Sequence, residues 1–185
     1  QDWNAARILP FAVFMLTALL ASTFFEHPAI VYPLRLVAML IALSVFRAQI
    51  LALEWRFERW AVLSGLAIGV AWILTAPAPS TGVDSLANAL GGLGAVAFTV
   101  WVVSRVIGTT LVVPLIEELF FRSYMIERLG GRRSLVFMLC AVAISTVCFA
   151  LLHGRWVAAG LAGLVFAWVV LRPNGKLSDA IISHS

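Results

Sequence analysis

The most constraining feature of the sequence is a charged cluster inside an apolar segment. The segment is Val112–Leu129, VVPLIEELFFRSYMIERL, and it carries Glu117, Glu118 and Arg122. On insertion scales one charged side chain at the centre of a bilayer costs about 2.5–3.5 kcal/mol, so charged residues inside apolar helices are usually functional. Three such groups so close together indicate a polar site buried between helices.

Composition identifies the class of protein. Of the 185 residues, 62% are hydrophobic and 12% are charged, and the mean hydropathy is +1.01. A soluble domain has about 25% charged residues, so this chain is predicted to be an integral membrane protein. The formal net charge is +4. Because the basic residues are scattered singly or in pairs, they fit loops beside lipid headgroups and argue against a nucleic-acid partner.

The apolar runs predict an all-α fold, a polytopic bundle of about seven to eight transmembrane helices. A spanning helix needs about 20 mainly apolar residues, and prolines, glycines and charges separate the runs. Residues 1–185 are expected to form a single domain, truncated at both ends, with its motif-bearing core in residues 108–185. The predicted helices are Ile8–Phe25, Leu34–Leu53, Trp60–Thr75, Ser85–Val106, Gly108–Leu129, Ser134–Leu152, Val157–Leu171 and the partial helix Leu177–Ser185.

Counting Lys and Arg in alternate loops of this arrangement leaves the orientation open, with six residues on each side. One side holds Arg7, Arg47, Arg56, Arg59, Arg105 and Arg155. The other side holds Arg35, Arg128, Arg132, Arg133, Arg172 and Lys176.

Two expectations concern packing. Gly65 and Gly69 have the GxxxG spacing that allows close helix contact. Cys140 and Cys148 are eight residues apart on one predicted helix, which is about 12 Å of rise. That separation exceeds the reach of a disulfide, so both thiols are predicted to be free.

Helical spacing divides the charged cluster into a pair and a spare carboxylate. Glu118 and Arg122 are four residues apart, so they share a helix face and can form an ion pair. Glu117 is turned about 100° away. A carboxylate in a dry site suits general acid–base work, whereas a buried salt-bridge cluster that only holds helices together is the alternative.

His153 and His184 lie near the ends of two later apolar helices. Each one alone is equally well explained as an ordinary helix residue. Together with the carboxylates they fit hydrolysis inside a membrane, in which Glu and His deprotonate a water and a second His stabilises the oxyanion. Zinc held by Glu117, His153 and His184 is the competing use. The sequence contains no HExxH or GxSxG motif.

At these residues the sequence resembles the CPBP family, the CAAX proteases and bacteriocin-processing enzymes also called Abi. EELFFR, from Glu117 to Arg122, matches its EExxxR motif, and FALLH, from Phe149 to His153, matches FxxxH. SDAIISH, ending at His184, matches the approach to the third motif. The resemblance covers residues 108–185. The tract HGRWVAAGLAGLVFAWVV and the following RPNGKLSDAIISH are similar to the bacterial branch associated with exosortase-type protein sorting.

The resemblance implies a glutamate-dependent intramembrane endopeptidase without a cofactor. It would lie in the bacterial inner membrane and cut a membrane-anchored protein near its C-terminal anchor or processing site. In this reading Glu117 acts with His153 to activate the water, and His184 contributes to the oxyanion site. Glu118 and Arg122 organise the helix, although Glu118 as the base stays open.

The chain departs from the family pattern at two places. The Asn or Asp expected four residues after His184 falls beyond Ser185, and Ser123 stands where glycine is frequent. Outside the enzyme class, a transporter or immunity protein is the alternative, because buried Glu, Arg and His also build ion paths.

Overall fold

A computed structural model describes residues 2–77, 81–130 and 133–185, without the side chains of residues 81–85. Regular structure in these residues is entirely helical. The predicted loops Ala76–Asp84 and Gly130–Arg133 lie partly outside the described residues, at 78–80 and 131–132. The helices are α1 (Trp3–Phe24), α2 (Tyr32–Val45), α3 (Arg47–Leu51), α4 (Arg59–Leu74), α5 (Thr81–Gly91), α6 (Ala95–Arg128), α7 (Leu135–Leu151), α8 (Trp156–Leu171) and α9 (Leu177–His184).

Two of these helices, α1 and α6, are long and apolar enough to cross a membrane by length and composition, with mean hydropathies of 1.8 and 1.9. Four further apolar helices, α2, α4, α7 and α8, are shorter. The predicted span Leu34–Leu53 is divided, because Phe46 leaves the helical region (φ −108°, ψ 21°) between α2 and α3. Arg47 and Gln49 come just after Phe46, so the apolar pattern is interrupted at this bend.

The prediction of two helices, Ser85–Val106 and Gly108–Leu129, is wrong in its boundary. The chain breaks earlier, between Gly91 and Ala95, and then runs as one helix of 34 residues, α6. Gly108 keeps helical dihedrals (φ −64°, ψ −47°), so it makes no turn. A Cβ at this position would collide with the Tyr32 side chain, so the glycine provides room for that ring. Glycine at this position therefore allows a close helix contact and does not end the helix.

Helix α6 contains two π-helical stretches. The first, Gly108–Val112, comes just before Pro114, which lacks the N–H for an ordinary helical bond and crowds the carbonyl four residues earlier. The second, Leu119–Met125, contains Arg122, and the Ser145 hydroxyl on α7 donates to the Phe121 carbonyl at 2.9 Å. π-Turns of this kind occur frequently at functional sites.

The ends of the bundle differ strongly in charge. Arg7 on α1 binds Glu127 at 2.7 Å, and Lys176 binds Glu54 at 2.7 Å. A shallow groove lined by Trp3, Glu54 and Lys176 joins these regions, so they belong to one end. The described basic residues at this charged end are Arg7, Arg47, Arg56, Arg59, Arg128, Arg133, Arg172 and Lys176.

The opposite end has three basic residues in the described part of the chain. Arg35 and Arg105 lie over the Tyr32 ring, and Arg155 donates to the Trp72 carbonyl at 2.8 Å. Arg122 is inside the bundle, and Arg132 is outside the described residues. The count of six against six is thus corrected to eight against three, because the single helix α6 reverses the direction of every later helix.

Asp179 organises the charged end. It is fully buried and accepts hydrogen bonds from Arg56 (2.7 and 3.2 Å), from Arg172 (3.1 Å) and from the Lys176 backbone N–H (3.0 Å). Although burial opposes it, these hydrogen bonds and the arginine charges hold the pKa of Asp179 below its ordinary value. The network fixes the start of α9 to the chain segment that leads into α4.

The main apolar core lies where α6, α7, α8 and α9 meet. Its largest buried side chains are Phe121, Phe149, Phe166 and Val169, with Ala180 of α9 against them. The ring of Phe11 from α1 stacks on Phe120 with centroids 4.0 Å apart. Separately, both predicted free thiols are confirmed, since neither Cys140 nor Cys148 is in a disulfide.

Replacing Asp179 by Asn should lower the stability of the purified protein at neutral pH. Hydrogen bonds to a charged group contribute about 1.5–3 kcal/mol each, so a loss of about 2 kcal/mol is expected. The folded pKa is lowered, so the carboxylate stabilises the protein above its unfolded pKa, and this contribution is lost as the pH falls through the folded pKa. Thermal denaturation in detergent between pH 7 and pH 3 should therefore show the gap between variant and wild type narrowing in acid.

Glu54→Gln is the matched control. Its carboxylate also pairs with a basic residue, but the side chain is 74% exposed, and exposed pairs contribute little. An Asp179→Asn protein as stable as the Glu54→Gln control at pH 7 would contradict the anchoring role.

Candidate active site

The two glutamates and the arginine of the charged cluster are buried on α6. Glu117 is 3% exposed, Glu118 is 0% exposed and Arg122 is 4% exposed. Glu118 and Arg122 form the ion pair that their spacing predicts, with Nη1 and Oε1 3.1 Å apart. One carboxylate charge is thereby compensated inside the protein.

Arg122 is also held from α8 and α7. Its Nη2 donates to the Gly163 carbonyl at 3.1 Å, and its guanidinium lies 4.3 Å from the centroid of the Phe149 ring. A Cβ at Gly163 would meet Nη2 at 3.1 Å and the Phe149 ring at 3.2 Å. Glycine at this position therefore lets α8 approach the guanidinium closely.

His184 comes from α9 and contacts both glutamates. Its Nδ1 donates to Glu118 Oε1 at 2.9 Å, and its Nε2 lies 3.7 Å from Glu117 Oε2. The imidazole stacks on the Phe166 ring with centroids 4.5 Å apart. The sequence interpretation separated Glu117 from Glu118 and paired it with His153. The structure places His184 beside both carboxylates, because a side chain from another helix can reach two consecutive residues.

His153 lies just beyond the end of α7, on the other side of Phe149. The centroid of the Phe149 ring is 4.5 Å from that of His153 and 5.5 Å from that of His184. His153 Nδ1 is 2.8 Å from the Phe149 carbonyl oxygen, which can only accept, so Nδ1 carries the proton. In the neutral ring Nε2 is then free to accept a hydrogen bond or a proton.

The cluster has unused acceptor atoms. Glu117 Oε2 and Glu118 Oε2 are buried and have no hydrogen-bond partner among the described residues. Buried polar atoms are nearly always paired, so each carboxylate keeps an oxygen that can still accept a hydrogen bond. The His184 side chain is 17% exposed and His153 is partly exposed, so the histidine side is the accessible side of the cluster.

The zinc alternative can be compared with the described residues. They contain no group of three or more His, Cys, Asp or Glu side chains arranged to hold a metal ion. In the part of the chain that the structure describes, Glu117, His153 and His184 therefore do not form a set of metal ligands.

Comparison with protein families decides the affiliation of this part of the chain. Residues 98–185 match the family model described as Type II CAAX prenyl endopeptidase Rce1-like. Residues 98–185 therefore belong to the Rce1-like family. This confirms the resemblance to CAAX proteases drawn from the motifs. Searches of curated proteins and of solved structures each found no match.

The Rce1-like assignment carries a coarse function. The family consists of membrane proteins that are proteases, so the match of residues 98–185 indicates a membrane protein and a hydrolase. The matched residues include α7, α8, α9 and nearly all of α6, and they contain every predicted site residue. The individual roles of Glu117, Glu118, Arg122, His153 and His184 remain predictions.

Sequence reasoning missed several neighbours of the Rce1-like site. Phe166 stacks on His184, Gly163 accepts from Arg122, and Trp72 meets the His153 ring edge to face at 6.5 Å. The small residues of α8 were a usable signal, because Gly and Ala mark close helix contacts in membranes. For Trp72 the sequence contains no comparable signal, because an aromatic residue in an apolar helix is common.

Replacing Arg122 by Gln should strongly destabilise the Rce1-like domain. Removing one partner of a buried ion pair leaves the other charge uncompensated, which costs about 3–5 kcal/mol. Thermal denaturation in detergent would show this loss. Arg128→Gln is the matched control on the same helix, because Arg128 is exposed; equal melting temperatures for the two variants would contradict the compensation of Glu118 by Arg122.

Proposed function

We propose that this protein is a glutamate-dependent intramembrane endopeptidase that acts without a metal cofactor. The observation that carries the proposal is the position of His184 within 2.9 Å of Glu118 and 3.7 Å of Glu117, inside a Rce1-like domain. Two carboxylates and a histidine in a dry, apolar site are suited to proton transfer. The substrate is a membrane-anchored protein, cut near its C-terminal anchor or processing site.

The cluster can be electrically balanced during the reaction. Arg122 compensates Glu118, and a protonated His184 compensates Glu117, so two anions face two cations in a site with little access to water. Compensation is required because an isolated charge is very unfavourable in an apolar interior. The same arrangement leaves the Nε2–H of His184 as a donor for a developing oxyanion.

The proposed reaction gives each group of the cluster a role. Glu117 takes a proton from a water that His153 Nε2 holds as acceptor, and the resulting hydroxide attacks the carbonyl carbon of the substrate. The C–O bond forms while the carbonyl electrons move to the oxygen, where His184 donates a hydrogen bond. Glu117 then passes its proton to the leaving nitrogen as the C–N bond breaks. Glu118 and Arg122 hold His184 and the helix in place.

The charge distribution supports an orientation. We infer that α1, α2, α4, α6, α7 and α8 cross the membrane, so that the start of α1 and the start of α9 both lie at the charged end. Loops with an excess of Lys and Arg face the cytoplasm. The excess of eight basic residues at the charged end over three at the other end supports a cytoplasmic position for the charged end, in a bacterial inner membrane.

Glu117→Gln should reduce cleavage of a membrane-anchored substrate at least about 100-fold, because a general base contributes roughly 10²–10⁴ to a rate. Gln is similar in size but cannot accept the proton. The rate is measured on purified protein in liposomes by mass spectrometry of the products, and Glu118→Gln is assayed beside it. Cleavage at the wild-type rate by Glu117→Gln would exclude Glu117 as the base.

Glu127→Gln is the matched control on the same helix, since Glu127 is half exposed and outside the cluster. Its activity should stay near that of the wild type. The same assay with a chelator, together with metal analysis of the active protein, tests the zinc alternative. Loss of activity on chelation and its recovery on adding zinc would favour that alternative.

The orientation predicts which positions can be labelled from outside the cell. With Cys140 and Cys148 replaced by serine, Gly154→Cys should react with a membrane-impermeant maleimide in intact spheroplasts, because residue 154 is exposed at the weakly basic end. Glu54→Cys at the charged end should react only after lysis. The reverse pattern would overturn the orientation.

A further inference from the structure

We propose that α4 positions both histidines of the active site, with Gly65 setting the place of His184 and Trp72 setting the place of His153. The inference rests on the proposed function for the roles of the histidines. Helix α4 lies outside residues 98–185, the part that matches the Rce1-like family. The N-terminal region would then contribute to catalysis by holding the two histidines in position, through residues that do not contact the substrate.

The contact at Gly65 is close enough to control α9. A Cβ built at Gly65 would lie 2.8 Å from the Ser183 carbonyl oxygen and 3.2 Å from the Ser183 Cα. The hydroxyls of Ser64 and Ser183 are 2.8 Å apart. Because Ser183 is covalently joined to His184, a displacement of its backbone moves the imidazole away from Glu118. This contact fulfils the GxxxG prediction at Gly65.

The contact at Trp72 acts in the same way on the other histidine. The Trp72 ring meets His153 edge to face at 6.5 Å. Arg155, two residues after His153, donates to the Trp72 carbonyl at 2.8 Å, and its guanidinium lies 4.3 Å from the centroid of the indole ring. The turn that carries His153 is therefore attached to the end of α4.

One rigid helix connects these two contacts. Gly65 and Trp72 are seven residues apart, about 10.5 Å of rise, and they share one face of the helix. Ile68 lies between them on that face and packs against the core formed by Phe149 and Phe166. The two histidines come from different elements, so a helix touching both can fix their separation. Catalytic groups must be held to within about 0.5 Å of the productive geometry.

The decisive comparison is Gly65→Ala against Gly69→Ala. Nothing lies within 4 Å of a Cβ at Gly69, so both variants add one methyl group to α4 but only one reaches α9. Gly65→Ala should lower kcat at least 10-fold with KM little changed, and it should alter the pH dependence of kcat because the His184–Glu118 hydrogen bond is stretched. Gly69→Ala should keep the wild-type kcat and pH profile.

Two further variants are needed, one for the contact at Trp72 and one in case Gly65→Ala misfolds. Trp72→Leu should also lower kcat with little change in KM, by releasing His153. If Gly65→Ala does not fold, Ser64→Ala replaces it, because it removes the Ser183 hydrogen bond without adding volume. A threefold or larger fall in its kcat at unchanged melting temperature supports the proposal.

The outcome that overturns the positioning role is wild-type kcat and pH profile in Gly65→Ala, or in Ser64→Ala where that variant replaces it. Cleavage by Glu117→Gln at the wild-type rate is a different failure, since it removes the proposed base itself. An inactive Glu117→Gln beside an unaffected Gly65→Ala rejects α4 positioning alone. The two proposals can therefore fail separately.

Discussion

The structure depends on the mutual compensation of charges that are buried among apolar helices. Glu118, Arg122 and His184 form a continuous chain of contacts at 2.9 and 3.1 Å, and Glu117 lies at its edge. Removing any member leaves a charge in a medium that cannot solvate it. Compensation requires α6 and α9 to meet at short distance, so the chemistry of the cluster dictates the packing around it.

The close approach of these helices is achieved by small residues and by local changes in helix geometry. Gly163 lets α8 reach Arg122, and Gly65 lets α4 reach the backbone of α9. The π-helical stretch Leu119–Met125 is supported from α7 by the Ser145 hydroxyl. Between helices embedded in lipid there is little hydrophobic driving force, so packing and interhelical hydrogen bonds hold such contacts together.

At the charged end, hydrogen bonds and ion pairs hold the helices together. Asp179 binds Arg56 and Arg172 and so connects the first turn of α9 to the segment before α4. At the other end of α9 lies His184. Helix α9 is therefore attached at its start by hydrogen bonds and near its end by the contact of Ser183 with Gly65. This explains how a helix of eight residues can hold a histidine in a defined position.

Much of the site could be predicted because its residues lie in compact motifs. EELFFR placed Glu118 and Arg122 one helical turn apart, and the structure forms that pair. The choice of partner for Glu117 could not be predicted, since helical spacing describes one helix and says nothing of what inserts from another. The boundary error at Gly108 has a similar origin: glycine marks both helix ends and close contacts, and only the neighbour at Gly108 distinguishes them.

The sequence by itself determined the membrane class, the helical fold, the buried charge cluster and the family of residues 98–185. Hydrophobic periodicity and motif spacing are local properties, so they can be read along the chain. Only the tertiary structure decided that His184 lies beside both glutamates, that α6 is one helix and that eight basic residues gather at one end. Each of these depends on which helices become neighbours, and that choice is made by side-chain packing between segments far apart in the chain.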